Sequence, residues 1–155
     1  MRREIRFAGY GGQGISLMAA LFGKAAALFD GQHAVLTQSY GPESRGGASN
    51  SDVVIDNQPI GFPLANKLDV LVAMFQEAYE RYRPMLKKGG LLFLDSELVR
   101  PDKGEKNHFS VPALKIAEGL GKKMAANVVM LGCFGAASGL VRREALEEAI
   151  RKTVK

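Results

Sequence analysis

A short run from Glu4 to Ala8 leads straight into Gly9-Tyr10-Gly11-Gly12-Gln13-Gly14, and an apolar-periodic segment from Ile15 to Phe29 leaves it. This succession of strand, glycine turn and helix constrains the chain more than any other feature. A strand that passes into a helix through glycines must lay that helix back across its own sheet. Leu17, Leu21, Ala25 and Leu28 recur at helical spacing, and Asp30-Gly31 closes the helix. Gly9, Gly11 and Gly14 spell G-x-G-x-x-G in the context of a nucleotide-binding turn. Backbone N–H groups at such a helix N-terminus favour an anion. Three readings stand: a tight turn that only packs, a dinucleotide site, and a contact for another phosphate group or a partner. The nicotinamide reading lacks its acid, since the second strand ends in Thr37-Gln38 and Asp30 comes too early for a ribose hydroxyl. Gln13 sets a hydrogen-bonding side chain near the ligand position.

Further strands are expected at Ala34–Thr37, Asp52–Asp56, Asp69–Phe75 and Leu91–Asp95, with His108–Ser110 as a short edge strand. The near-continuous apolar run Asp69–Phe75 suits a strand buried on both faces. Helices are expected over Gln76–Leu86, bent or ended early by Pro84, from Pro112 to Gly119–Gly121, over Asn127–Ser138 with Asn127 as N-cap, and over Arg142–Lys155. Lys87–Gly90 reads as a turn and Arg100–Lys106 as a mobile surface loop. The alternation predicts one α/β domain spanning residues 1–155 with a mostly parallel sheet. Loops leaving the strand C-termini gather at one edge, where open α/β sheets bind ligands.

The polar stretch QSYGPESRGGASNSDVVI, Gln38–Ile55, reads largely as a long loop beside the glycine turn. Arg45 offers a planar fork of donors to phosphate or carboxylate, Glu43 stands ready to orient it, and Gly46-Gly47 admits a close backbone approach. The alternative is a solvated ion pair between Glu43 and Arg45.

Composition excludes several classes. The net charge is +5, but the basic pairs Arg2/Arg3, Lys87/Lys88, Lys122/Lys123, Arg142/Arg143 and Arg151/Lys152 are dispersed. No aromatics interleave with them, so a nucleic-acid partner is not expected. No run is apolar enough to span a membrane, and no h-region follows the N-terminus, so a cytoplasmic location is expected. Cys133 is the sole cysteine and reads as a small core residue; His33 and His108 are isolated, so no metal site is expected.

The motifs RFAGYGGQGI and TQSYGPESRGGASNSDVVI, followed by VPALKIAEGLGKKMAANVVMLGCF, resemble the gamma subunit of 2-oxoacid:ferredoxin oxidoreductases from Ile5 to about Ile150. The resemblance implies a three-layer Rossmann-like domain with a mostly parallel (mixed) sheet flanked by helices. It implies a complex with thiamine-binding alpha and beta subunits and a ferredoxin-like delta subunit. That complex would use thiamine diphosphate, Mg, iron–sulfur clusters, CoA and ferredoxin, none of the cofactors being bound by this chain alone. QSYGPESRGG is similar to the 2-oxoglutarate type; pyruvate, branched-chain 2-oxoacids and indolepyruvate are the alternative substrates, and a stand-alone nucleotide-binding protein is the alternative function. The resemblance further implies that Gly11, Gly12, Gln13, Gly14, Ser39, Tyr40, Glu43, Arg45, Gly46 and Gly47 form a wall toward partner subunits and cofactor, with no catalytic residue in this chain. Asn127 falls in a stretch that recurs in the family, which leaves a subunit contact open. Relatives often carry a further tail where this chain ends IRKTVK.

Overall fold

The computed structural model describes residues 1–39 and 48–154. The strands are β1 (Arg3–Tyr10), β2 (His33–Ser39), β3 (Ala48–Asp56), β4 (Leu68–Ala73), β5 (Leu86–Asp95) and β6 (Phe109–Val111). They form a six-stranded sheet in the order β2-β3-β1-β4-β5-β6. β1, β4, β5 and β6 are mutually parallel neighbours, whereas β3 is antiparallel to both β1 and β2. The sheet is therefore mixed, and β3 lies between the two strands that a dinucleotide-binding unit would pair directly.

The helices are α1 (Ile15–Phe29), α2 (Gln76–Tyr82), α3 (Ala113–Gly119), α4 (Ala126–Ser138) and α5 (Arg143–Thr153). Strand periodicity of two distributes them. Ile5, Phe7, Val53, Ile55, Val70, Val72 and Phe93 face one side and pack with α1, α4 and α5. Ala8, Leu71, Ala73, Leu92 and Leu94 face the other and pack with α2. At the centre of the first layer, Phe134 meets Phe7, Phe22 and Phe93 with centroids 5.3, 5.0 and 5.6 Å away. All three pairs are edge-on, the arrangement aromatic quadrupoles favour. Gly135 lets α5 close in, since a Cβ there would lie 2.6 Å from Leu146 Cδ2.

The structure corrects several expectations. Leu28 is 67% exposed, because α1 buries the face carrying Met18, Leu21, Phe22 and Ala25. The second helix stops at Tyr82 and a single 3-10 turn, Arg83–Met85, carries Pro84. Lys87–Gly90 is not a turn between elements. It lies within β5, where the register with β4 jumps from Leu68↔Leu86 to Val70↔Leu91. Residues 48–51 read as loop but are strand, and the polar side chains of Asn50 and Ser51 are buried there with partners.

The chief such partnership is on the α2 side. Arg6 donates through Nε and a terminal nitrogen to the two oxygens of Asp52, both at 2.7 Å. Asn50 donates to Asp52 at 3.2 Å, the Tyr82 hydroxyl donates to Asn50 at 2.9 Å, and the Arg6 guanidinium lies 4.8 Å from the Tyr82 ring centroid. Every member is buried, so removing one charge strands the other in a low-dielectric site. Asp52→Ala is expected to cost about 3–5 kcal/mol in denaturant unfolding, and Arg6→Met with Asp52→Leu to recover most of that loss.

The 100–106 segment, expected to be mobile, is tethered. Arg100 N–H donates to Gln76 Oε1 at 2.7 Å, and the buried Tyr79 hydroxyl donates to Glu105 at 3.0 Å while accepting from the Asp102 N–H at 3.1 Å. Arg83 engages both Glu105 oxygens. The Arg83 guanidinium holds the Glu105 carboxyl below its ordinary value of 4.5, outweighing burial, with the Tyr79 hydroxyl assisting. A depressed carboxyl binds its proton more readily when unfolded. Its stabilisation is thus complete above about pH 4.5 and lost as pH falls through the lower folded value. Glu105→Gln should flatten the fall in melting temperature below pH 4.5 and lower stability at neutral pH.

Candidate functional site

The C-terminal ends of β1 and β4, the start of β3 and the N-termini of α1, α2 and α4 meet at one end of the sheet. Tyr10 pairs with Ala48 and Gly9 with Ser49, and β2 ends with Ser39 opposite Asn50. The ends of the connection between β2 and β3 therefore lie next to the glycine turn, as the sequence predicts. Tyr40, Glu43, Arg45, Gly46 and Gly47 lie outside the described residues, as does the side chain of Ser39.

The glycine turn is built from two clamps. Gln13 Oε1 accepts from the Tyr10 N–H at 2.6 Å, and its Nε2 donates to the Met74 carbonyl at 2.9 Å. One side chain thus ties the exit of β1 to the exit of β4, and its amide is spent on backbone rather than aimed at a ligand. The close passage requires Gly9, where a Cβ would lie 2.7 Å from Ile15 Cδ1. The second clamp is Asn127, whose Nδ2 donates to the Gly14 carbonyl at 3.2 Å and whose Oδ1 accepts from the Val128 N–H at 2.9 Å. Asn127 is therefore not the N-cap of α4; Ala125 holds that position, and Asn127 sits in the first turn, buried against the glycine turn. Gly14 has φ 75 and a Cβ on it would be driven into the Asn127 amide. Gly12 also has positive φ, at 95, and it is exposed along with Gly11.

Between the clamps the N-terminus of α1 has Gly14 as N-cap, no side-chain cap and no acid in its first turn. Its first N–H groups are thus left to bind an oxyanion or carbonyl oxygen. Tyr10, 38% exposed, flanks the turn with its ring 5.1 Å from that of Phe75. The sequence reading missed both Asn127's contact and this aromatic pair. The helical position of Asn127 among small residues was its one visible signal. Among the described residues no group of three His, Cys, Asp or Glu is placed to hold a metal ion. Cys133 is half-buried and burial pushes its thiol pKa up, so it favours the unreactive thiol. Among the described residues no helix is long and apolar enough to cross a membrane.

Residues 4–155 match the pyruvate ferredoxin/flavodoxin oxidoreductase family. The chain is 46% identical to the 2-oxoglutarate synthase subunit KorC of Methanocaldococcus jannaschii, covering 99% of this chain and 84% of that one. It is 37% identical to the ketoisovalerate oxidoreductase subunit VorA of Methanothermobacter thermautotrophicus over 98% of this chain but 31% of that one. The gamma subunit of a keto/oxoacid ferredoxin oxidoreductase from Geobacter sulfurreducens superposes with a TM-score of 0.91 at 40% identity, covering 100% of this chain and 86% of that one.

Gly14→Ala is expected to destabilise the chain by about 1–3 kcal/mol through positive φ and the clash with Asn127. Pairing it with Asn127→Ala should recover the steric part, so the two losses will be less than additive in urea unfolding.

Proposed function

The chain belongs to the pyruvate ferredoxin/flavodoxin oxidoreductase family, and from that premise we propose how its glycine-bearing edge serves the enzyme. It is a gamma subunit of a 2-oxoglutarate:ferredoxin oxidoreductase. The assembled enzyme converts 2-oxoglutarate, CoA and oxidised ferredoxin to succinyl-CoA, CO2 and reduced ferredoxin. Subunits of ketoisovalerate and pyruvate enzymes are more distant relatives, so those substrates are not favoured.

In this reading thiamine diphosphate with its Mg and the iron–sulfur clusters belong to the alpha, beta and delta subunits. The residues here agree: the single thiol of Cys133 cannot supply the about four thiolates that a cluster takes. The complex is placed in the cytoplasm, with ferredoxin as its electron acceptor.

The contribution of this chain is a wall of the active site and a seat for partner subunits, made by Gly11, Gly12, Gln13 and Gly14 with Ser39, Tyr40, Glu43, Arg45, Gly46 and Gly47. The observation that carries this is the uncapped N-terminus of α1, held open by the Gln13 and Asn127 clamps beside the ends of the connection that bears Arg45. Uncapped N–H groups and a guanidinium both suit phosphate or carboxylate, the anionic groups carried by CoA and by 2-oxoglutarate. The chain's residues bind and orient; catalysis belongs to the assembled enzyme.

Arg45→Ala should leave the melting temperature of the isolated chain unchanged. In the reconstituted complex it should lower turnover or weaken assembly, a loss of about 1.5–3 kcal/mol for a hydrogen bond to a charged group. Arg45→Lys should behave like Arg45→Ala, because it keeps the charge but loses the fork. Purification from the native host should recover thiamine-binding partners with this chain. Unchanged kinetics toward both 2-oxoglutarate and CoA in the variants would reduce Arg45 to a solvated charge, and recovery of the chain alone would remove the subunit reading.

A further inference from the structure

The two edges of the sheet are built differently. β6, at one edge, is three residues long, Phe109–Val111. β2, at the other, is seven residues long and pairs with β3 without a shift of register from His33↔Asp56 to Ser39↔Asn50. Natural sheets protect an edge with a short strand, a bulge, a proline or a charged side chain. The β6 edge uses the first of these. The β2 sequence, His33-Ala34-Val35-Leu36-Thr37-Gln38-Ser39, uses none: it contains no Lys, Arg, Asp, Glu or Pro. An edge of that length without protection is a template for another strand.

Beside this edge lies an apolar groove. Ala34 and Leu36 pair with Ile55 and Val53, so they face the α1 side of the sheet. With Ala20, Gly23, Ala27 and Leu28 of α1 they line a groove of about 300 Å³. Leu28 and Leu36 are both exposed, Leu36 by 40%. The one charged side chain of the lining, Lys24, reaches Thr153 Oγ1 on α5 at 3.4 Å. The segment between β3 and β4 touches β2 from the opposite side, where the Thr37 hydroxyl donates to the Pro63 carbonyl at 3.3 Å, and none of its residues lines the groove.

We propose that β2 and this groove form the contact between two copies of this chain, their β2 strands pairing antiparallel across a twofold axis. Three features select a second copy over a different protein. A twofold axis sets a strand antiparallel to itself, which an open, unbulged edge accepts residue for residue. The patch carries both halves of a packing contact: Leu28 and Leu36 project, while Ala20, Gly23 and Ala27 leave room, so the leucines of each copy meet the small residues of the other. The strip is also nearly free of charge in a chain of net charge +5, the condition under which identical copies meet without repulsion. Size sets the strength. The seven residues of β2 span roughly 23 Å, and strand with helix stand roughly 15 Å deep. Two copies would cover on the order of 1,000 Å² in total, the lower end for a specific interface. The contact is therefore a weak, reversible dimer. It uses no residue of the glycine turn and does not depend on the function proposed above.

The test is sedimentation velocity of the full chain from about 5 to 500 µM, paired with amide hydrogen exchange at both ends of that range. A monomer–dimer equilibrium with a dissociation constant on the order of 10–100 µM is expected, with slower exchange within residues 34–38 where the dimer dominates. Leu28→Lys with Leu36→Lys should raise the dissociation constant about tenfold or more, because each copy then presents ammonium groups to the other. Leu120→Lys with Met124→Lys, exposed apolar residues elsewhere, should leave it unchanged. Should the first pair lower the melting temperature, Leu28→Gln with Leu36→Thr carries the same comparison. A chain monomeric throughout, a dimer whose β2 exchanges as fast as in the monomer, or equal loss in the distant pair would overturn the proposal. So would a monomeric chain whose β2 is protected only in the assembled enzyme, which would assign the strip to another subunit.

Discussion

The insertion of β3 between β1 and β2, antiparallel to both, governs the rest of the molecule. It carries the return of the connection after β2 to the exit of β1, so that Ala48 lands opposite Tyr10. It also fills the place where a nucleotide-binding fold would pair its first two parallel strands. A glycine turn of nucleotide-binding appearance is thereby converted into one side of a composite edge, with the start of β3 and then the end of β2 beside it. Register fixes this placement. The Arg6–Asp52 pair meets across the β1–β3 ladder, and a slip by one residue would send the carboxylate to the apolar face under α1.

At that edge, rigidity comes from two amides rather than from charge. Gln13 spans two parallel strands and Asn127 spans two helix starts, and each acts on backbone atoms. The exposed face of Gly11 and Gly12 is left free of side chains on a fixed frame. Gly9 and Gly14 are pressed by the clamps themselves, so a side chain on either would displace Gln13 or Asn127.

Much of this was legible from the residues, and the failures have physical causes. The bounds of α1 could be read because an apolar period of 3.6 runs between two glycine-bearing turns, and Gly31 does adopt φ 67. Which face it buries was less legible: Leu28 stays exposed while Met18, Leu21, Phe22 and Ala25 are buried. Ala48–Ser51 looked like loop because Ser-Asn-Ser is polar, yet Asn50 and Ser51 are only 6% and 2% exposed. Their burial depends on partners such as Asp52 and Tyr82, which local propensity does not contain. Lys87–Gly90 looked like a turn because a glycine pair usually is one; here it absorbs inserted residues inside a strand. Of the site, the glycine turn and its neighbour were visible as motifs. The Asn127 clamp was not, because its meaning lies in a contact between residues 113 positions apart.

That separation bears on biogenesis. A chain emerging from the ribosome presents the glycine turn early, with β1 and α1 already synthesised, but the amide that fixes Gly14 arrives only when α4 has been made and docked. Until then the turn has Gln13 and Met74 to hold it but lacks its second restraint. An incompletely synthesised or incompletely folded chain therefore has a loosely formed glycine turn. The order of an N-terminal turn is thus tied to completion of the C-terminal half of the chain.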